Sequence, residues 1–207
     1  LANVPNVLIL NKDFATDNNI TDVKTLVTYL EEHGADINYA SGGNGSAGHL
    51  SGELFKIRSG VDMLHIPYQG ASPAKLALLA NQTQVMFDNL ASALPQIQSG
   101  DVVALAVTTP ERSSFLADLP TMEESGIEDF DISTWFGVVS PAGTPDAIIE
   151  KLNSAYAEGM KDERVQTQMR NMGSELEPGS AQDFADYAAS ELKKYEEIVK
   201  SAGVKLD

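Results

Sequence analysis

The sequence predicts an α/β fold built on a largely parallel sheet. Strand-like and helix-like segments alternate up to about residue 140, and glycine turns stand where strands hand over to helices. Val102 to Val107 is also apolar without alternation, as a strand covered on both faces must be. At 207 residues the chain can bury roughly 70% of its unfolded surface, in one large domain or two small ones.

Taken in order, Val7 to Leu10 reads as the first strand. A helix follows from about Asp22 to His33, with Thr21 as its cap and Leu26, Val27 and Leu30 as its apolar stripe. Ile37 to Ala40 is the next strand, and a helix runs from Ser46 to about Ser59. Met63 to Ile66 forms the third strand, and Ser72-Pro73 marks a helix start with Ser as cap and Pro as first helical residue. Gln84 to Phe87 is a short strand leading into Asp88, and a helix from about Ala91 stops at Gly100. Thr121 and Glu124 form a capping-box pattern before a short helix closed by Gly126. Ile132 to Val139 is a long strand holding the only tryptophan, Trp135. Helices are then expected from Pro145 to about Lys161, from Glu163 to Met172, and from the Ser180/Asp183 cap to about Ala202, with a short strand near Glu175. These last helices have almost no strands to cover, so they look like helices without their partner sheet.

Composition narrows the function classes. Thirty acidic residues against fourteen basic ones give a net charge of −16, which argues against a nucleic-acid partner. No apolar run approaches the ~18 residues of a membrane span, so no direct membrane insertion is expected. With no cysteine there are no disulfides or thiolate metal sites. No secretory leader stands before the first strand, so the chain reads as a mature or trimmed piece.

The segment Ser41-Gly-Gly-Asn-Gly-Ser46 is the most telling. It follows a strand, opens a helix, and offers Ser46 as N-cap. Unpaired amides and the positive dipole end of that helix make an anion cradle that needs no Lys or Arg. A second loop of the same kind, Tyr68-Gln-Gly70-Ala71, follows the next strand; Tyr68 offers a hydroxyl and an aromatic wall, or simply a lid over the helix start. Asp88, at a third strand end, either meets a ligand donor or caps the following helix, and the cap is the better reading.

Other chemistries fit less well. Gly43-Asn-Gly45-Ser-Ala-Gly48 matches the dinucleotide fingerprint, but Asp62 lies at the start of the next strand and not at its end, where it would meet a ribose. His33, His49 and His65 lack metal-ligand spacing. His33 reads as solvated, His65 as a core histidine, and His49 as bracing the glycine loop or reaching the ligand. No G-x-S-x-G elbow is present. No catalytic residue, metal or cofactor is therefore expected.

Several segments together carry a resemblance. They are Tyr39 to Ser46 with His49-Leu50, His65 to Gly70 with Pro73-Ala74, Leu105 to Thr108, Arg112, Leu119 to Gly126, Trp135-Phe-Gly137 and Pro141 to Pro145. In this order and spacing the chain resembles the extracytoplasmic solute receptors of tripartite tricarboxylate transporters, the TctC-like or Bug receptor family, over nearly its whole length. The resemblance implies a type II periplasmic binding-protein fold with the second lobe complete and the first lobe partial, its N-terminal part lacking. Residues 11–132 would be the complete lobe; residues 1–10 and 133–207 would be the crossover strands and the C-terminal part of the first lobe, with Trp135 on the hinge side of the cleft. Carried onto this chain, the ligand-binding residues are Ser41, Gly42, Gly43, Asn44, Gly45, Ser46, His49, Tyr68, Gly70, Ala71 and, more weakly, Asp88. The expected function is capture of a small carboxylate in the periplasm, by a monomer, for delivery to membrane transporter subunits, without catalysis. Two departures stand out: the family's Pro-Tyr-Lys-Gly appears as Pro67-Tyr-Gln-Gly70, and its Gly-Gly turn as Asn81-Gln-Thr83. The competing class is a carboxylate- or ester-processing enzyme using the same anion cradle.

Overall fold

A computed structural model describes residues 2–204. Its organising element is β1 (Ala2–Asn11), whose Val7-Leu-Ile-Leu10 run is wholly buried. Successive side chains of a strand point to opposite faces. Leu8 and Leu10 therefore enter one core cluster and Val7 and Ile9 another. This explains why the run is apolar without alternation: both faces of the sheet are covered.

The sheet order is β3 (Leu64–Pro67), β2 (Asn38–Ser41), β4 (Val85–Asn89), β1, β5 (Val102–Val107). β2 is parallel to β3 and to β4, as expected. β1 instead runs antiparallel between β4 and β5, with Leu8 opposite Phe87 on one side and Ala106 on the other. The sheet is thus mixed. The sequence signal for a buried strand carries no direction, because two-sided burial asks for the same residues either way.

One layer over the sheet holds α1 (Lys12–Asp17), α2 (Val23–His33) and α3 (Ala47–Ser59), joined by the end of α8 (Ala181–Ala202) through Ile198. The other holds α4 (Ala71–Leu79) and α5 (Leu90–Ser99). α1 is too short for a periodic signal; Asn11 starts it by accepting the Phe14 amide at 2.9 Å. The cap of α2 is Asp22 and not Thr21, because the Asp22 carboxylate accepts the Thr25 amide at 2.7 Å while Thr25 Oγ1 accepts the Asp22 amide. α4 begins one residue before Ser72, capped by Gly70 without a side-chain bond, so Pro73 is its third residue. Thr121 and Glu124 do exchange their capping bonds, each at 3.0 Å, but turns follow and not a helix.

The first half of β1 belongs to a second ladder. Ala2 to Pro5 pair with β6 (Ser133–Phe136), and Ala2 and Asn3 with β7 (Glu175–Leu176). β6 is shorter than expected, and Val138 and Val139 beyond it are 64% and 82% exposed. A strand needs a ladder partner, and none stands beside these two among the described residues. α6 (Asp146–Gly159) and α7 (Glu163–Asn171) bury no residue. Val138, Val139, Ile149, Leu152 and Tyr156 line an open apolar groove of about 390 Å³ against Phe184 of α8. Trp135 packs edge-on against Phe184 and Tyr187 of the same helix. The reciprocal Ser180/Asp183 cap of α8 is as expected.

Leu8 lies at the centre of the sheet with no exposed surface. Leu8→Ala is expected to cost about 2–5 kcal/mol through lost burial and the cavity left behind, seen as a lower urea midpoint at unchanged slope.

Candidate functional site

The parallel strands β2 and β3 end side by side, Ser41 opposite Pro67. Their following loops are laced together: the Tyr68 amide donates to Ser41 O at 3.0 Å and the Gly70 amide to Gly42 O at 3.1 Å. Gly42, Gly43, Asn44, Pro67, Tyr68, Gln69 and Gly70 line an open cavity of about 380 Å³ between the loops. Glycine is required here for two reasons. Gly43 and Gly45 have φ of +129° and +75°. At Gly42 a Cβ would sit 3.2 Å from the Ala71 nitrogen, jammed against the neighbouring loop.

Not every loop amide is free. Gly43 N–H donates to Ser41 Oγ at 3.1 Å, Gly45 N–H to His49 Nδ1 at 3.0 Å, and Ser46 N–H to Gly43 O at 3.1 Å. Ser46 does cap α3, its hydroxyl accepting the His49 amide at 3.3 Å. Among the described residues, the amides of Gly42, Asn44 and Gln69 in the cavity wall find no protein acceptor, nor do those of Ala47 and Gly48 or Ala71 and Ser72 in the first turns of α3 and α4. These are the donors available to an anion.

Behind the loop stands a column of rings. Tyr39 stacks on His65 with centroids 4.8 Å apart, and His65 on His49 at 3.9 Å and 4°. The Tyr39 hydroxyl donates to Glu53 at 2.5 Å, and burial together with that carboxylate pushes its pKa up. Ser41 Oγ lies 2.7 Å from His65 Nε2. Burial, reinforced by the neighbouring His49, lowers His65 to about 4; burial also lowers His49. His49 thus braces the loop, and His65 is more than core filling, since it holds the serine that holds Gly43. The Ser41/His65 pair has the spacing of a nucleophile and its base, but Ser41 has no exposed surface and already accepts from Gly43.

Asp88 lies elsewhere on β4, on the α4 and α5 side of the sheet. The cap position of α5 is Asn89, with no side-chain cap bond, so Asp88 is not that cap. Its Oδ1 accepts the Asn89 amide at 2.9 Å, and its buried Oδ2 lies 3.6 Å from Lys75 Nζ with no hydrogen bond. Lys75 also donates to Ser92 O and Ser92 Oγ. Burial raises the Asp88 pKa, against the opposing pull of Lys75. Sequence reasoning missed Pro67 and Gln69 as lining residues and the partnership of Lys75 with Asp88. The loop pattern around Tyr68 could have supplied the first two; the last joins residues from a helix and a strand, and no local signal marks it.

The model of the tripartite tricarboxylate transporter family receptor matches residues 1–204. The chain belongs to that family. A Bordetella pertussis member, protein BugT, is 30% identical over 206 residues, which are the whole of this chain and 62% of BugT. A UPF0065 protein from Pseudomonas sp. is 31% identical over 96% of this chain and 58% of its own length. The chain thus spans about three fifths of the length of these relatives. Among solved structures, the periplasmic binding protein BugD superposes with a TM-score of 0.82 at 34% identity, over 99% of this chain and 68% of BugD. An R. palustris protein solved with adipate gives 0.85 at 33%, over 99% and 67%. MatC of Rhodopseudomonas palustris, solved with bound malate, gives 0.78 at 28%, over 96% and 67%. The fold is that of these periplasmic binding proteins, with one lobe partial.

Lys75→Met leaves the Asp88 carboxylate buried without its cation, and roughly 3 kcal/mol of stability should be lost at neutral pH. Because the folded-state pKa of Asp88 is raised, the native state takes up its proton first as pH falls, and the variant's deficit should shrink on acidification. Urea unfolding at a series of pH values measures both.

Proposed function

We propose that this chain is the carboxylate-holding part of an extracytoplasmic receptor that captures a small organic anion and passes it to a membrane transporter. Residues 11–132 form the lobe that carries the ligand loops; residues 1–10 and 133–207, of which 1 and 205–207 lie outside the described residues, form the crossovers and part of the opposing lobe. The observation that carries this is the set of acceptor-less amides of Gly42, Asn44 and Gln69 around one open cavity, backed by the first turns of α3 and α4. A carboxylate accepts several such bonds at once, and fixed dipoles bind it without a lysine. The adipate and malate in two related structures support the ligand class. The exposed side chains of Val138, Val139 and Leu152 in the groove support an opposing lobe completed by further chain, because relatives are longer and these side chains are otherwise wetted. No described helix is long and apolar enough to cross a membrane.

Backbone donors read a carboxylate group and not the remainder of the molecule, so several small acids should bind. Titrating the ¹⁵N-labelled chain with adipate and with malate should move the amide resonances of Gly42, Asn44 and Gln69 saturably, while no new compound forms from the ligand. Gly42→Val should weaken this by about tenfold to a hundredfold, the worth of one or two charge-assisted bonds. Shifts scattered elsewhere, or conversion of the ligand, would count against a receptor.

A further inference from the structure

Two imidazoles lie under the glycine loop, and each holds a different end of it. His49 Nδ1 accepts the Gly45 amide at 3.0 Å, near the start of α3. His65 Nε2 meets Ser41 Oγ at 2.7 Å, at the end of β2. The rings lie face to face, 3.9 Å apart and 4° from parallel. The residues between these anchors include Gly42 and Asn44, the loop's cavity-lining donors. We propose that His49 and His65 are the positioning residues of the anion loop, a stacked pair of neutral imidazoles in which His49 acts as an acid-labile latch. The proposal deepens the receptor reading and rests on it for its consequence, but the latch itself is a property of the empty protein.

The chemistry of the two anchors differs. A backbone N–H can only donate, so Nδ1 of His49 must present its lone pair, and the ring's proton sits on Nε2. Protonating His49 sets donor against donor and breaks the bond to Gly45. At His65 the serine can adapt. Ser41 Oγ accepts from Gly43 N–H, and its own proton turns either to His65 Nε2 at 2.7 Å or to Gly43 O at 3.2 Å. A protonated His65 would donate to Ser41, which would then donate to Gly43 O, so that anchor survives. Only His49 releases its end.

The surroundings keep both rings neutral near pH 7. The titratable groups that act on them are Tyr39 of β2 and Glu53 and Lys56 of α3, besides each other. Glu53 favours a proton, but it also accepts from Tyr39 and pairs with Lys56 at 3.2 Å. Lys56 opposes the proton and is itself drawn to Asp62 at 3.3 Å. Burial dominates and lowers both histidines. A histidine lowered in the folded state contributes full stability above its ordinary pKa of about 6.5 and loses it as pH falls below that value. The latch therefore holds at neutral pH and weakens as the pH falls below that value.

The test uses the ligand-free ¹⁵N-labelled chain. At about pH 7.5, long-range ¹H–¹⁵N spectra should show His49 in the Nε2–H form, with the Gly45 amide protected from exchange. Lowering the pH below the ordinary histidine value of about 6.5 should erode that protection in step with His49 titration. His49→Phe keeps a ring for the stack but removes the acceptor, and should speed Gly45 exchange by about tenfold or more at neutral pH. His49→Asn restores an acceptor that does not titrate, so Gly45 should be protected and its protection should no longer follow pH. In adipate titrations at neutral pH, His49→Phe should bind more weakly than the parent, and His49→Asn should recover part of that loss. An Nδ1–H form of His49, an unprotected Gly45 amide in the parent, or equal protection in the Phe variant would overturn the latch. If the loop behaves as stated but adipate moves no amide, the latch stands and the receptor reading fails.

Discussion

Everything in this molecule is referred to one strand that serves two ladders. β1 pairs with β6 and β7 through its first four residues and with β4 and β5 from Asn6 onward. Where it changes partners, Thr108 closes the junction. Its hydroxyl accepts the Asn6 amide at 3.2 Å and donates to Ile132 O at 2.5 Å, while its backbone amide donates to Asn6 O. The strand entering the main sheet, the strand leaving it and the segment leading into β6 are thereby tied at one buried residue. Both parts of the chain take their position from this point, and α8 adds a second tie through Ile198 and through Lys194, which reaches Asp131 at 2.9 Å.

The site sits on the opposite side of β4 from that junction, where strands end and helices begin. The proposed anion site, in a protein of net charge −16, has to be local. Amides and helix ends act over a few ångströms, whereas surface carboxylates are screened by salt over about 10 Å. Lys75, midway along α4, is turned to Asp88 and Ser92. Departure from the family's Pro-Tyr-Lys-Gly to Pro67-Tyr-Gln-Gly70 fits this division of labour, since Gln69 brings a free backbone amide to the cavity whatever its side chain.

Rigid donors need support, and here the support consists of side chains packed beneath the glycine loop. Ser41, His49, His65, Tyr39 and Glu53 form a connected group beneath the loop, and most of their polar atoms are spent on one another or on loop backbone. The helix on which His49 and Glu53 stand lies close to the sheet because Gly48 and Gly52 have no side chain: a Cβ on Gly48 would meet Phe87 O at 2.5 Å.

Much of this was legible in the order of residues. Local patterns determined the strand-to-helix punctuation, the Ser46 and Ser180 caps, the buried runs of β1 and β5, and the glycine loop, because each depends on neighbours a few residues apart. Local patterns also exposed the surplus of late helices, which the structure bears out in the unburied α6 and α7. What needed the tertiary structure was everything set by pairing across the chain. Strand direction is one case: β1 is antiparallel, although its composition suits either sense. The commitment of the Gly45 amide to His49 is another, since four residues of sequence separation say nothing about where a ring nitrogen points. His65 and Asp88 are the plainest cases. Their partners, Ser41 and Lys75, come from other elements, and contacts of that kind are decided by packing, which no local pattern encodes.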